Sequence, residues 1–439
     1  MPSLPGDTGT REPSGPGATA LSYPVHQHVL DNGLRVVVSP DHAVPSVAVN
    51  LWYDVGSRHE QLGRTGFAHL FEHLMFQGSA NVAAGDHFKL LQSAGASLNA
   101  TTWFDRTNYF AALPTGGLEL ALWLESDRMA SLAVTAENFE TQREVVKEEK
   151  RQRYDNVPYG DVTELLVGLT FPHDHPYGHT TIGSMADLDA AELSDVQAFF
   201  DRHYMPSNAV LTVVGDVTDA RAVEAVERHF GPIPSTTPPP APQAGPLPPL
   251  TGIPRAGARD DVPAEAVHFS FRLPARDTVE FDALDLAFTV LGHGQTSRLH
   301  RRLVRRDEVA ESAGASTMAL IGGNGFGFAA ARCRNGETPD DVEQMMVDEI
   351  DALVTDGPTD EELTRAKATF TRSWLQGLAR IDGRADQFSG FAVLEGDPTR
   401  VNRRIVDIDR IDGAAVRDAA ARWLHPRHRA VLTYRKETS

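Results

Sequence analysis

Residues 232–250 read PIPSTTPPPAPQAGPLPPL and divide the 439-residue chain nearly in half. Proline fixes its own φ and donates no backbone hydrogen bond, so a run this dense builds neither helix nor sheet interior and reads as an extended connection. Before it, LDNGLRVVVSP (30–40) sets an Asp-Asn-Gly turn ahead of a β-branched run, and VPSVAVNLWYDVGS (44–57) continues with strand-like alternation. Helical periodicity covers 65–78 and 85–94, followed by strand-like TNYFAAL (107–113) and a helix over 118–129. The run 137–153 is rich in helix formers and ends before the turn-like DNVPYG. NAVLTVVGDV (208–217) is a further strand and 218–230 a further helix. Beyond the connection, VHFSFRLP (267–274), a helix from near Phe281, strands around Ala329 and helices rich in Asp, Glu and Arg repeat the order. These readings predict an α+β fold of two similar domains, each an antiparallel-rich sheet packed by helices. The expected division is a disordered tail over 1–22, domains over 23–231 and 251–439, and the 232–250 connection between them.

With 41% hydrophobic and 23% charged residues, the chain has the composition of a globular protein that can bury two cores. Its net charge of −19 disfavours nucleic acid and anionic lipid as partners. No apolar run approaches the roughly 18–20 residues of a membrane-spanning helix, and MPSLPGDTGTREPSGPGATA at the start lacks the apolar centre of a secretory signal. The single cysteine, Cys333, excludes an intramolecular disulfide and reads as buried bulk. A cytoplasmic location is expected.

In FAHLFEHLMF (67–76), His69 and His73 stand four residues apart, on one face of the predicted helix, where both imidazoles reach a single divalent ion. Glu72 lies beside them, able to accept a proton from a water activated by the ion. The helix over 137–153 supplies candidate third ligands, and periodicity chooses among its acids. Phe139, Gln142, Val146 and Glu149 share one stripe, whereas Glu144 and Glu148 lie with Thr141 and Gln152 on a polar one, which selects Glu149. The ordinary alternative for Glu149 is a surface pair with Arg153 or Lys147. Two imidazoles and one carboxylate with an open fourth position suit catalytic Zn2+. The rival cluster, His173, His175 and His179 in FPHDHPYGHTTIG (171–183), sits among Pro, Gly and Asp and reads as a solvated surface loop.

The motifs LDNGLRVVV, VGSRHE, HLFEHLMFQGS, GASLNATTWFDRTNY, QREVVKEE and HPYGHTTIGS together resemble the pitrilysin family of inverted HxxEH zinc peptidases. The likeness is to the short bacterial members similar to mitochondrial processing peptidase, and it spans most of residues 25–435. It implies a zinc-dependent endopeptidase with Glu72 as general base and His69, His73 and Glu149 as metal ligands. Glu149 stands 76 residues after His73, the family's spacing for the third ligand. The resemblance also implies Asn99 and Ala100 as substrate contacts and Phe76 as a pocket wall. A peptide substrate then adds as an extended strand beside GASLNATT.

The likeness further implies a half-sized subunit that dimerises with a homologous one. Two positions depart from the family pattern, the first touching an auxiliary proton role and the second the partner. Gln142 stands where the family often has an acid, and a neutral amide orients without titrating. Val304 and Glu311 stand where an Arg and a Tyr would reach the substrate carbonyl, with Arg305 and Arg306 as the nearest replacements. A heterodimer whose second subunit carries the missing donors is therefore favoured over a homodimer. The reading from a different class is a noncatalytic scaffold or assembly subunit of a processing-peptidase-like complex.

Overall fold

The computed structural model describes residues 19–242 and 244–437. Its first sheet contains β1 (His26–Val29), β2 (Arg35–Pro40), β3 (Ser46–Tyr53), β4 (Ser97–Thr102), β5 (Thr107–Pro114) and β6 (Ala209–Gly215), in the order β1-β2-β6-β3-β5-β4. Between β3 and β4 lie α1 (Phe67–Leu74) and α2 (Asp86–Ser93). Between β5 and β6 come α3 (Leu118–Ser131), α4 (Ala136–Lys150), α5 (Val162–Thr170), α6 (Met185–Ala190) and α7 (Leu193–His203), and α8 (Asp219–Phe230) follows β6. From 231 to 254 the described residues form neither helix nor strand. The second sheet contains β7 (Arg255–Asp260), β8 (Ala266–Pro274), β9 (Ala310–Met318), β10 (Asn324–Cys333) and β11 (Ala430–Lys436), in the order β7-β11-β8-β10-β9. α9 (Val279–Gly292) joins β8 to β9. α10 (Pro339–Asp356), α11 (Asp360–Leu378), α12 (Ile381–Leu394), α13 (Arg400–Asp409) and α14 (Gly413–Trp423) join β10 to β11.

The two sheets share one plan. β2 and β6 pair in parallel, as do β7 and β11, and every other neighbouring pair is antiparallel. Only β1 has no counterpart in the second sheet. On the inner face of the first sheet, Val49, Leu51 and Leu211 pack with Leu70, Phe71 and Leu122 from the helices, and all are buried. Val267, Phe269 and Phe271 of the second sheet pack likewise with Leu284, Phe288 and Met346.

The outer faces are covered by exchange between the halves. α12, from the second half, lays Ala385, Phe388 and Phe391 on Val37, Ala48, Val210 and Val214 of the first sheet. α5, from the first half, lays Leu166 and Val167 against Phe326, Leu432 and Tyr434 of the second. Burying each Phe side chain of α12 contributes about 1.5–3 kcal/mol, so the halves hold one another's sheets closed. The expected tail covers residues 1–22. Its residues 1–18 lie outside the described residues, but the Leu21 N–H donates to the Asn402 carbonyl at 2.9 Å and its side chain joins the α12 cluster.

Candidate active site

α1 opens after Gly66, whose φ of 91° places the chain in the left-handed region. A side chain there has no room, and none has at the facing turn, where a Cβ on Gly183 would lie 2.4 Å from the Gly66 nitrogen. The start of the helix is then fixed by Glu60, whose carboxylate accepts from the Gly66 N–H at 2.9 Å and the Ala68 N–H at 2.8 Å. These are orphan donors of a first helical turn, which a buried carboxylate satisfies both by hydrogen bond and by charge. His179 Nε2 meets the same carboxylate at 3.0 Å and the Ser57 carbonyl at 3.0 Å. Burial works to lower the pKa of His179, but Glu60 and Ser57 outweigh it and hold it above the ordinary value.

The apolar face of α1, including Leu70, Phe71 and Leu74, is buried, and this turns His69 and His73 toward α4. Glu149, near the end of α4, meets them there. Its Oε2 lies 3.7 Å from His69 Nε2 and 3.4 Å from His73 Nε2. Its other oxygen, Oε1, takes the Arg153 guanidinium at 2.7 Å. The surface pair with Arg153 therefore exists alongside the convergence, while Lys147 turns away to Glu144 and Asp189. On α4, Phe139, Gln142 and Val146 are buried in the stripe that leads to Glu149, and Glu144 and Glu148 are exposed. α4 ends at Lys150 and widens into a π-helical turn over Arg151–Asp155, earlier than the predicted end at 153.

The donor set, two imidazoles and one carboxylate, is of the type that zinc takes. Ligand atoms of the three side chains lie within 4.8 Å of one another, the only such group of three among the described residues. Two ligands of a tetrahedral zinc with bonds of about 2.0–2.1 Å stand about 3.4 Å apart, close to the two imidazole–carboxylate spacings. Burial and the neighbouring His73 push the His69 pKa down to about 4, which leaves its nitrogen lone pair available. The hydrogen bond from His73 lowers the pKa of Glu149 and keeps it ionised. These residues fit the ion.

Glu72 projects from the same helix toward β4, where Thr102 donates to its Oε2 at 2.6 Å. Burial raises the Glu72 pKa, and the Thr102 bond opposes part of that rise. β4 is the edge strand of its sheet. Asn99 is exposed on it, with its side-chain oxygen accepting from the Ala100 N–H at 3.0 Å, and Ala100 is buried. Phe76 is half-buried just beyond α1, with its ring 4.4 Å from that of Phe88 and the Arg128 guanidinium 5.1 Å from its centre. Val304 packs on the second core, Glu311 is exposed on β9, and Arg305 and Arg306 are exposed, Arg306 paired with Asp307.

Residues 35–183 match the sequence model of the insulinase family (peptidase family M16), and residues 190–370 that of the M16 inactive domain. The zinc protease PqqE of Helicobacter pylori is 32% identical over 383 residues, covering 85% of each chain. The chain belongs to the M16, or pitrilysin, family. A crystal structure of a Helicobacter pylori protease superposes with a TM-score of 0.89 at 27% identity, covering 94% of this chain and 99% of that one. The periplasmic protease PqqL of Escherichia coli shares the fold, with a TM-score of 0.76 at 17% identity, but this chain spans 48% of its length.

The M16 loop 171–183 corrects one expectation. It is not a solvated surface loop, because His175 and Tyr177 are buried, the His175 ring stacking on Phe171 at 5.0 Å. The Tyr177 hydroxyl donates to Asp105 at 2.5 Å and accepts from the Gly322 N–H at 2.6 Å, tying the halves together. Its three histidines do not converge on one another. Glu60, Thr102 and His179 are the residues whose roles sequence reasoning missed. Glu60 and His179 stood inside the quoted motifs VGSRHE and HPYGHTTIGS, but nothing in either string says that they meet. Among the described residues no helix is long and apolar enough to cross a membrane.

Proposed function

We propose that this M16 protein is a zinc-dependent endopeptidase that cleaves peptides or unfolded segments. The observation that carries the reading is the convergence of His69, His73 and Glu149 beside a Glu72 held by Thr102. Zinc bound by those three side chains would supply Lewis acidity toward the scissile carbonyl and lower the pKa of water. Glu72 then takes a proton from the attacking water and delivers it to the leaving amine. The Thr102 hydroxyl holds one Glu72 oxygen, leaving the other to face the reaction. An extended substrate pairs with the free edge of β4 near Asn99 and Ala100, with Phe76 bounding a side-chain pocket. The protein acts in the cytoplasm as half of a dimer with a homologous subunit, heterodimeric in preference, because Val304 and Glu311 supply no oxyanion donor.

Metal analysis combined with a mixed peptide library tests the reading. Glu72→Gln is expected to keep zinc and lose cleavage, and normal cleavage by that variant would remove Glu72 from its role. Absence of zinc from the wild-type protein would favour the scaffold reading. Adding a homologue that carries the Arg and Tyr is expected to raise cleavage per zinc about 10²–10³-fold, the usual worth of a preorganised oxyanion donor. Full activity of this chain alone would overturn the heterodimer.

A further inference from the structure

The outer faces of the two sheets carry comparable polar patches, answered by a carboxylate in one half and left open in the other. Over the first sheet, Asp386 of α12 accepts from Trp52 at 3.1 Å, Asn108 at 3.2 Å and Asn50 at 3.4 Å, and its charge favours the buried Arg106 cation. Over the second sheet, the acid at the start of α5, Asp161, is turned to the Tyr434 hydroxyl. His268 pairs across the strands with Ala330, which places it on the same face as Arg332, two residues further along β10. Arg332 is exposed and has no ion-pair partner among the described residues, its guanidinium stacked 5.3 Å from the centre of the Tyr159 ring. His268 Nε2 is buried without a hydrogen-bond partner.

These groups border a cavity of about 480 Å³ whose floor includes the small residues Ala266, Ala330 and Gly314. Tyr159 takes up its place there with a φ of 61°, in the left-handed region that a bulky residue rarely adopts. Its hydroxyl is held by the backbone of Ala264 on both sides, donating to the carbonyl and accepting from the N–H. The cavity thus offers a guanidinium and an aromatic wall, with room for several heavy atoms, and it is bordered by the ring whose Nε2 is unpartnered.

We propose that this cavity binds a carboxylate of the peptide substrate, either an acidic side chain or the C-terminal carboxylate, between Arg332 and His268 Nε2. The proposal rests on the peptidase reading for its substrate class. A carboxylate here would stand to Arg332 as Asp386 stands to Arg106. Burial, with Arg332 adding to it, pushes the His268 pKa down to about 4, so the ring is neutral at ordinary pH. In the Nε2-protonated tautomer it donates to a carboxylate without adding a second positive charge.

Equilibrium binding to the Glu72→Gln protein, read by fluorescence anisotropy, separates the two sources. One peptide pair differs only in a free-acid or amidated C-terminus, and a second only in an internal Glu or Gln. The acid member of one pair is expected to bind about tenfold more tightly, as for one charge-assisted hydrogen bond, and the pair that discriminates names the source. Arg332→Met should bring the preference close to one, and His268→Ala should reduce it. Arg334→Ala, which removes a nearby cation already paired with Glu308, should leave it. Equal or undetectable binding in both pairs, or a preference that survives Arg332→Met, overturns the proposal. Loss of zinc and cleavage with the preference intact would instead overturn only the peptidase reading.

Discussion

Two helices occupy the same place in the two halves, after β3 and after β8, the second strand of the shared plan in chain order, and they differ in every property that matters for chemistry. α9 runs for 14 residues with its side chains buried on nearly all sides, Phe281, Leu284, Phe288 and Leu291 among them. α1 runs for eight, buries only one face, and turns two imidazoles and a carboxylate toward the gap before α4 and β4. The frame that places both helices is the same, so the difference lies in the helices themselves, in their length and in their side chains. α9 spends its whole surface on packing, whereas α1 leaves His69, Glu72 and His73 half-buried and is steadied instead by Glu60 and His179 at its start. The candidate site is a local departure from a repeated architecture.

Erasing that departure gives the largest expected effect. The double variant His69→Leu, His73→Phe makes α1 resemble α9, and it should keep the native circular dichroism while cleavage falls to background and zinc is lost. Retained cleavage would break the contrast between the halves.

The exchanged helices provide a second contrast. Asp386→Ala leaves the side-chain donors of Asn50, Trp52 and Asn108 without their shared acceptor and should destabilise by about 2–4 kcal/mol in denaturant titration. Thr170→Val under α5 removes one hydroxyl pair with Ser270, at 2.7 Å, and should cost about 1 kcal/mol. Equal losses would contradict the idea that the first sheet's outer face alone holds a buried carboxylate network.

Within the first half, Thr102→Val removes the bond that holds Glu72. A loss of about tenfold in kcat is expected, with KM and zinc content unchanged, since one charge-assisted bond is worth roughly that factor. A change confined to KM would place Thr102 with substrate instead.

The smallest effect concerns His179. A histidine whose folded pKa is raised stabilises fully below about pH 6.5 and loses that contribution as pH rises through the folded value. The stability gap between wild type and His179→Gln, measured from pH 5 to 9, should therefore narrow with rising pH. A gap that widens would mean that Glu60 does not hold the proton on the ring.

Much of this was legible before the fold. Pro density marked the connection, β-branched runs marked the strands, and the stripe through Phe139, Gln142 and Val146 pointed to Glu149, because period and composition are local properties. The exchange of α5 and α12 was not legible. The apolar residues of FSGFAV in α12 show which face is buried, but no periodicity says that the face covers the other half's sheet. Thr102 and Glu72 lie 30 residues apart and Glu60 and His179 lie 119 apart, so their contacts are products of topology. The loop at 171–183 was misread for a related reason. Its Pro, Gly and Asp describe a turn correctly, but they cannot reveal that a turn is wedged between two domains, where Tyr177 finds Asp105.

Three side chains of the first half are proposed to hold one zinc ion. Zinc per folded chain, measured for the wild type and for Glu149→Ala, tests it most directly. One zinc per wild-type chain and essentially none in the variant are expected. Zinc retained undiminished in Glu149→Ala, or absent from the wild type, would contradict it.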